Sequence, residues 1–97
     1  MIGMIKHIVM WKFKENEKEN MQIFLEKLNG LYGVIPEIIG MQTGININKD
    51  GEFDAVLISE FKSAEDLEKY KSDPRHKAVS QLCKSIRVKR EAIDFEF

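Results

Sequence analysis

The chain has 97 residues, with 15 basic and 16 acidic side chains, so its formal net charge is -1. That length provides for one compact domain, and the near-neutral charge gives no positive field for a phosphate backbone, which argues against nucleic acid as a partner. A hydrophobic fraction of 43% with a charged fraction of 32% is typical of a globular rather than a disordered chain. With no linker, repeat or low-complexity segment, residues 1–97 are expected to form a single domain.

The N-terminal region carries no targeting pattern. The longest unbroken apolar run after Met1 is residues 8–11, which is too short for a signal peptide or a membrane span. We therefore expect a cytoplasmic protein with no membrane partner. The sequence fits translation from Met1 and from Met4 equally well.

Apolar residues alternate over residues 4–14 and predict a first strand with apolar side chains on both faces. A helix is expected to begin at Asn16, with Glu19 completing a capping box, and to end at Gly33. A second strand is predicted at about residues 38–48. Two glycines in it are candidates for bulges. The stripe on the helix comprises Met21, Phe24, Leu25, Leu28, Leu31 and Tyr32, and the two glycines are Gly40 and Gly44.

The second half of the chain opens with an Asp-Gly turn at residues 50–51, followed by a strand over residues 53–61. A Ser-x-x-Asp capping signal at residues 63–66 begins a short helix. The Asp-Pro pair at residues 73–74 then suits the cap and first position of a new helix. A last strand is predicted at about residues 88–97.

These elements follow the order β-α-β-β-α-β, which predicts an α+β, ferredoxin-like protomer with a four-stranded antiparallel sheet. Helices would cover one face of the sheet. The other face would retain Ile8, Met10, Val56 and Ile58. Because an exposed apolar sheet face is a liability, we expect a homodimer in which each protomer covers the other's open face.

Several chemistries have no support in the sequence. It contains no glycine-rich phosphate loop, no C-x-x-C and no H-E-x-x-H motif, so we expect neither nucleotide chemistry nor a tight structural metal, and no cofactor is required. The single cysteine, Cys83, cannot form an internal disulfide. It lies within a helical stripe with no cationic neighbour expected on that face, so we interpret it as core filler.

Three residues are left as candidates for chemistry. His7 lies on an otherwise apolar strand face, His76 heads the inward stripe of the last helix, and Tyr70 comes just before the helix break. All three are predicted to point toward the core, where convergent polar groups in an apolar setting indicate a ligand site. The alternative is structural: two satisfied core histidines, and a tyrosine whose hydroxyl bonds a backbone carbonyl.

Three segments resemble the stress-responsive A/B barrel (Dabb) family of the dimeric α/β-barrel superfamily. They are the opening strand at residues 5–14, the closing strand at residues 92–95, and residues 61–76 with Phe, Ser, Leu, Tyr, Pro and His at fixed offsets. The resemblance implies a dimer whose two sheets form a barrel. One plant member closes a linear polyketide by an intramolecular aldol reaction. Its catalytic Tyr and His match Tyr70 and His76, and a further pocket His matches His7.

The sequence supports three functional hypotheses. The first is a pocket for a small carbonyl compound with cofactor-free lyase or cyclase chemistry, in which His76 removes a proton, Tyr70 stabilises the oxyanion and His7 orients substrate or relays a proton. The second is a non-catalytic stress or interaction protein in which the same trio holds the fold. The third is a quinol or haem monooxygenase of the same superfamily, with a histidine as base or axial ligand.

Overall fold

Seven elements follow in the order β-α-β-β-α-α-β in the computed structural model, which describes residues 3–97. Met1, one of the two candidate start residues, lies outside the described residues. None of the helices in the described part of the chain is long and apolar enough to cross a membrane. The elements are β1 (Ile5–Phe13), α1 (Lys18–Asn29), β2 (Gly40–Ile45), β3 (Ala55–Phe61), α2 (Ala64–Ser72), α3 (Pro74–Ile86) and β4 (Arg87–Glu96).

The four strands form one antiparallel sheet in the order β2-β3-β1-β4, which confirms the predicted ferredoxin-like fold. Residues directly opposite each other in antiparallel strands share a face. His7 on β1 lies opposite Ser59 on β3 and Asp94 on β4, so all three side chains point to the helix-covered side. That side holds the core, whose sheet residues include Ile5, Val9, Trp11, Phe13, Ala55, Leu57 and Phe61.

The opposite face of the sheet carries an apolar patch that is uncovered in the single chain. Ile8 lies opposite Ile58, and Met10 lies opposite Val56, as the sequence predicts. Strand β4 adds two exposed apolar residues to the same face, because Ile93 also pairs with Ile8 and Phe95 pairs with Lys6. Ile93 is 62% exposed and Phe95 is 42% exposed.

The predicted start of the first helix is wrong. Asn16 has a φ of 65°, in the left-handed region, so it turns the chain and does not begin the helix. The helix starts at Lys18, and Glu17 precedes it without a side-chain cap. The capping box expected with Glu19 is absent, and instead Asn20 Nδ2 donates a hydrogen bond to Glu17 Oε1 at 2.9 Å.

The same helix ends earlier than its apolar stripe predicts. Its last residue is Asn29, and Leu31 and Tyr32 follow in the connection to β2. Leu31 is buried there, but Tyr32 is 53% exposed. Gly33 does have a positive φ of 86°, so the chain turns left-handed at that residue, beyond the helix end.

The strands β2 and β3 are shorter than predicted because their connection makes its own hydrogen bonds. Asn46 Nδ2 donates to the Phe53 carbonyl at 2.7 Å, and the Asn48 amide donates to Asn46 Oδ1 at 2.8 Å, so the ladder ends at Ile45. The bulges proposed at two glycines are also wrong, since the β2–β3 register is continuous from Gly40 to Ile45. The shift lies between Lys12 and Phe13, where β1 pairs with β4.

Both predicted caps in the second half are confirmed. Ser63 Oγ accepts a hydrogen bond from the Asp66 amide at 3.1 Å and begins α2. Asp73 Oδ1 accepts one from the Arg75 amide at 2.8 Å, and Pro74 is the first residue of α3. The Arg75 guanidinium also pairs with Asp73 at 2.8 Å and lowers the pKa of that carboxyl to about 2. The last strand begins at Arg87, one residue before its predicted start.

Candidate active site

The helix break brings the three predicted residues together. Tyr70 lies in the last turns of α2, His76 in the first turn of α3, and His7 near the start of β1. The ring centroids of Tyr70 and His76 are 4.3 Å apart, and those of Tyr70 and His7 are 6.4 Å apart. Tyr70 therefore packs close to both imidazoles, near the junction of α2 and α3.

His7 is held by a carboxylate that the sequence analysis did not single out. Its Nδ1 is 2.5 Å from Asp94 Oδ1, and Lys71 Nζ is 3.7 Å from Asp94 Oδ2. Burial lowers the pKa of His7 below 6.5, and the Asp94 carboxylate acts in the opposite direction. A neutral imidazole that donates its Nδ1 proton to Asp94 keeps a lone pair on Nε2.

His76 is oriented in a similar way by the backbone. Its Nδ1 is 3.2 Å from the Lys71 carbonyl oxygen, which can only accept, so in the neutral ring Nδ1 carries the proton. Burial lowers the pKa of His76 below 6.5 as well. The ring is therefore neutral near pH 7, with Nε2 as its basic atom, which is the state a general base needs.

The Tyr70 hydroxyl has no hydrogen-bond partner within residues 3–97, although the residue is fully buried. The backbone carbonyl that the structural alternative assigns to it is not there. Burial raises the pKa of this phenol, so it stays protonated as a hydrogen-bond donor. An unsatisfied buried hydroxyl costs about 1–3 kcal/mol, which makes this group the clearest sign of a binding position in the described chain.

A cavity of about 30 Å³ lies among the three side chains. That volume holds a group the size of one water or one carbonyl oxygen, not a whole substrate. His76 and Ser80 also line a second recess, a cleft of about 390 Å³ on the outer side of α3. The small cavity and the larger cleft are therefore neighbours, with His76 between them.

Cys83 also lines the small cavity, and one expectation about it is wrong. Arg87 Nη1 lies 3.9 Å from Cys83 Sγ, so the thiol does have a cationic neighbour. The contact arises because Arg87 follows the last turn of α3, four residues after Cys83. Burial nevertheless raises the pKa of the thiol, which agrees with core filler rather than a nucleophile.

Asp94 is the residue that sequence reasoning missed. The signal for it was present, since Asp94 alternates with Ile93 and Phe95 and so lies on the opposite face of β4 from both.

A larger recess of about 450 Å³, bordered by the β1–α1 and β2–β3 connections, contains none of the three candidates. Within residues 3–97 no group of three His, Cys, Asp or Glu side chains is arranged to hold a metal ion.

Comparison with known families and structures gives a consistent result. The family described as the stress responsive A/B barrel domain (Dabb) matches residues 5–97. No curated protein matches the chain.

Three solved structures illustrate the similarity. A dimeric protein of unknown function and ferredoxin-like fold from Bacteroides fragilis is 27% identical, with a TM-score of 0.85 over 98% of this chain and 97% of that one. A Dabb family protein from Mesorhizobium loti is 21% identical, with a TM-score of 0.81 over 96% and 95%. The hydroxynitrile lyase of Passiflora edulis is 15% identical, with a TM-score of 0.87 over 98% and 94%. At such identities the last two matches establish the fold alone.

Proposed function

The chain belongs to the stress-responsive A/B barrel (Dabb) family, and from its site we propose an enzyme that performs cofactor-free acid–base chemistry, of the lyase or cyclase type, on a small carbonyl compound. One observation carries the proposal: a buried hydroxyl without a protein partner in residues 3–97 lies beside two histidines whose pKa values are lowered. Unpaired donors and neutral bases side by side are the groups that such chemistry uses.

In the proposed reaction His76 is the general base. Its Nδ1 proton is engaged by the Lys71 carbonyl, so Nε2 is the atom that would accept a proton from the carbon next to the substrate carbonyl. The lowered pKa keeps this nitrogen unprotonated near neutral pH. The substrate carbonyl would then carry the negative charge as an enolate.

We propose that Tyr70 stabilises the negative charge that develops on the substrate carbonyl oxygen. Its protonated hydroxyl would donate a hydrogen bond to the carbonyl oxygen, and the bond would strengthen as the oxygen becomes negative. His7, oriented by Asp94, would hold the substrate or return the proton through its Nε2. The cavity of about 30 Å³ fits the carbonyl group, and the adjoining cleft fits the rest of the molecule.

We further propose that the protein is a homodimer joined through its open sheet face. Ile8, Met10, Val56 and Ile58 form an apolar surface there, widened by the exposed residues of β4. Covering it would remove apolar area from water. The similar Bacteroides fragilis protein is described as dimeric, which supports this assembly.

The similarity to a hydroxynitrile lyase supports lyase chemistry only in a general way, because that match extends to the fold. The non-catalytic alternative draws on the contacts of His7 with Asp94 and of His76 with Lys71, which also fix the packing. The monooxygenase hypothesis stays a prediction, and a Soret band on haem addition would support it.

The proposal is tested by deuterium exchange. Small ketones, among them acetophenone and 4-acetylbenzoate, are incubated with the protein in D2O, and incorporation next to the carbonyl is followed by mass spectrometry. We expect exchange above the buffer rate, reduced about 10²-fold or more in His76→Ala and strongly in Tyr70→Phe. Tyr32→Phe is the matched control, because Tyr32 lies outside the site.

The same preparations are measured for melting temperature and mass. A loss of exchange with an unchanged melting temperature supports catalysis. Exchange that matches the buffer for every ketone, or that falls only in variants that also melt at lower temperature, would favour the structural role.

A further inference from the structure

The cleft on the outer side of α3 is lined by three lysines and by neutral polar side chains that can donate hydrogen bonds. Its lining comprises Lys71, His76, Lys77, Ser80, Gln81 and Lys84, and it includes no carboxylate. Five of these residues belong to α3, where the spacings of three and four residues among them place them along one side of the helix. A chain with a net charge of -1 therefore concentrates three lysines around one recess.

Two of these lysines have no acidic partner in the described chain. Lys71 is 3.7 Å from both Glu68 and Asp94, whereas neither Lys77 nor Lys84 forms an ion pair within residues 3–97. Within the described residues no carboxylate neutralises these two ammonium groups, so they can attract an anion that enters the cleft. Unpaired cations around a concave surface concentrate field and attract anions.

Positive charge also lies near the small cavity, which Arg87 lines. Arg90, on the helix-facing side of β4, is close enough to act on His7, Tyr70 and His76. It too forms no ion pair within residues 3–97. The Asp94 carboxylate offsets this charge only in part, because Lys71, 3.7 Å away, adds a further cation beside it.

We propose that the cleft binds an anionic group, a carboxylate or a phosphate, of the same molecule whose carbonyl enters the cavity beside Tyr70 and His76. The geometry supports a single ligand because His76 and Ser80 border both spaces. This inference rests on the proposed function for the position of the carbonyl, and it narrows the substrate class to anionic ketones or aldehydes. Lys77 and Lys84 would determine specificity and would take no part in proton transfer.

The test compares three probes of similar shape. The probe 4-acetylbenzoate carries a carboxylate, 4-acetylphenyl phosphate carries a phosphate, and 4-acetylbenzamide is neutral. Dissociation constants are measured by NMR chemical-shift titration of the labelled wild-type protein at low and high salt. We expect at least one anion to bind more tightly than the amide, with a preference that declines as salt increases.

The double variant Lys77→Gln/Lys84→Gln should lose about fourfold in this anion preference, as expected for two solvent-exposed charge contacts. The double variant Lys18→Gln/Lys27→Gln removes the same charge from α1, away from the cleft, and should keep the preference. The anion with the lower dissociation constant shows whether the cleft prefers a carboxylate or a phosphate.

Three results would overturn the inference: equal affinity for the anions and the amide, no measurable binding of either anion, or the same loss in both double variants. The deuterium exchange test is independent of these. If exchange depends on His76 while the anion preference is absent, only the inference fails. If the anion preference depends on Lys77 and Lys84 while no exchange occurs, the cleft remains an anion site and the proposed chemistry fails.

Discussion

Tyr70 and His76 lie against each other, with ring centroids 4.3 Å apart and ring planes at 45°, although they are six positions apart in the chain. In a continuous helix six residues turn through about 600°, which would direct the two side chains about 120° apart. The extended conformation of Asp73, with a ψ of 131°, interrupts the helix between them and makes the contact possible. The Asp73-Pro74 pair, which ends α2 and begins α3, therefore determines how Tyr70 and His76 are placed relative to each other.

The first prediction concerns Tyr70→Phe. Because the hydroxyl is buried without a protein partner in residues 3–97, its removal should leave the free energy of unfolding unchanged or raise it by about 1 kcal/mol. Urea unfolding measures this. Tyr32→Phe, on an exposed side chain, should stay within about 0.5 kcal/mol of the wild type. A loss of more than about 1 kcal/mol in Tyr70→Phe would assign the hydroxyl a structural bond.

The second prediction concerns Asp94→Asn. The Asp94 carboxylate raises the pKa of His7 against the larger effect of burial, so the amide should leave that pKa lower than in the wild type. NMR titration of the His7 ring protons measures the change. Asp50→Asn, in the β2–β3 connection, removes a carboxylate remote from His7 and should have no effect. An unchanged His7 pKa in Asp94→Asn would argue against the contact in solution.

The third prediction concerns the pH dependence of stability. Burial lowers the pKa of His7 and of His76 below 6.5 in the folded protein, so the unfolded chain binds more protons just below that pH. Stability should thus be full above about pH 6.5 and decline as the pH falls toward the lowered values. Urea unfolding at about pH 7.5 and about pH 5.5 checks the sign, with constant salt.

A matched variant assigns that pH dependence to the site. His76→Gln removes one of the two groups, so the difference in unfolding free energy between the two pH values should shrink. Equal or greater stability at the lower pH in the wild type would contradict the lowered pKa values.

The fourth prediction concerns Ile58→Glu. Ile58 lies opposite Ile8 on the open face, where a charge would be buried by a second copy and would cost several kcal/mol. Light scattering after size exclusion should give twice the 11.3 kDa chain mass for the wild type and a single chain mass for the variant. Val34→Glu, at a residue 51% exposed in the α1–β2 connection, should not change the mass. A dimer mass for Ile58→Glu would exclude this face as the interface.

The fold can be predicted from the sequence because the alternation of apolar and polar residues in a strand and the capping of a helix are local signals, readable within a few residues. Strand β1 shows its two faces over nine residues, and the hydroxyl of Ser63 caps α2 as its spacing from Asp66 requires. Local signals fail where a side chain competes with the backbone. Asn16 adopts a left-handed turn, and Asn46 closes the β2–β3 connection with its own amide.

The candidate site was predictable only in part for a different reason. His7, Tyr70 and His76 each stand out against an apolar pattern, but the partner of His7 depends on which strands are neighbours and on their register. Neither the strand order nor the register can be read from a short stretch of sequence. Asp94 gains its role only because β4 pairs with β1 at that position, 87 residues away in the chain.

That pairing has a consequence for how the protein matures. The first and last strands are neighbours in the sheet, so His7 acquires its carboxylate only when the two ends of the chain meet. Closing a loop of that length costs chain entropy, and during synthesis the pairing must wait until the ribosome has released β4. A nascent or truncated chain without β4 would carry three of the four site residues and still lack the acid that orients the first of them.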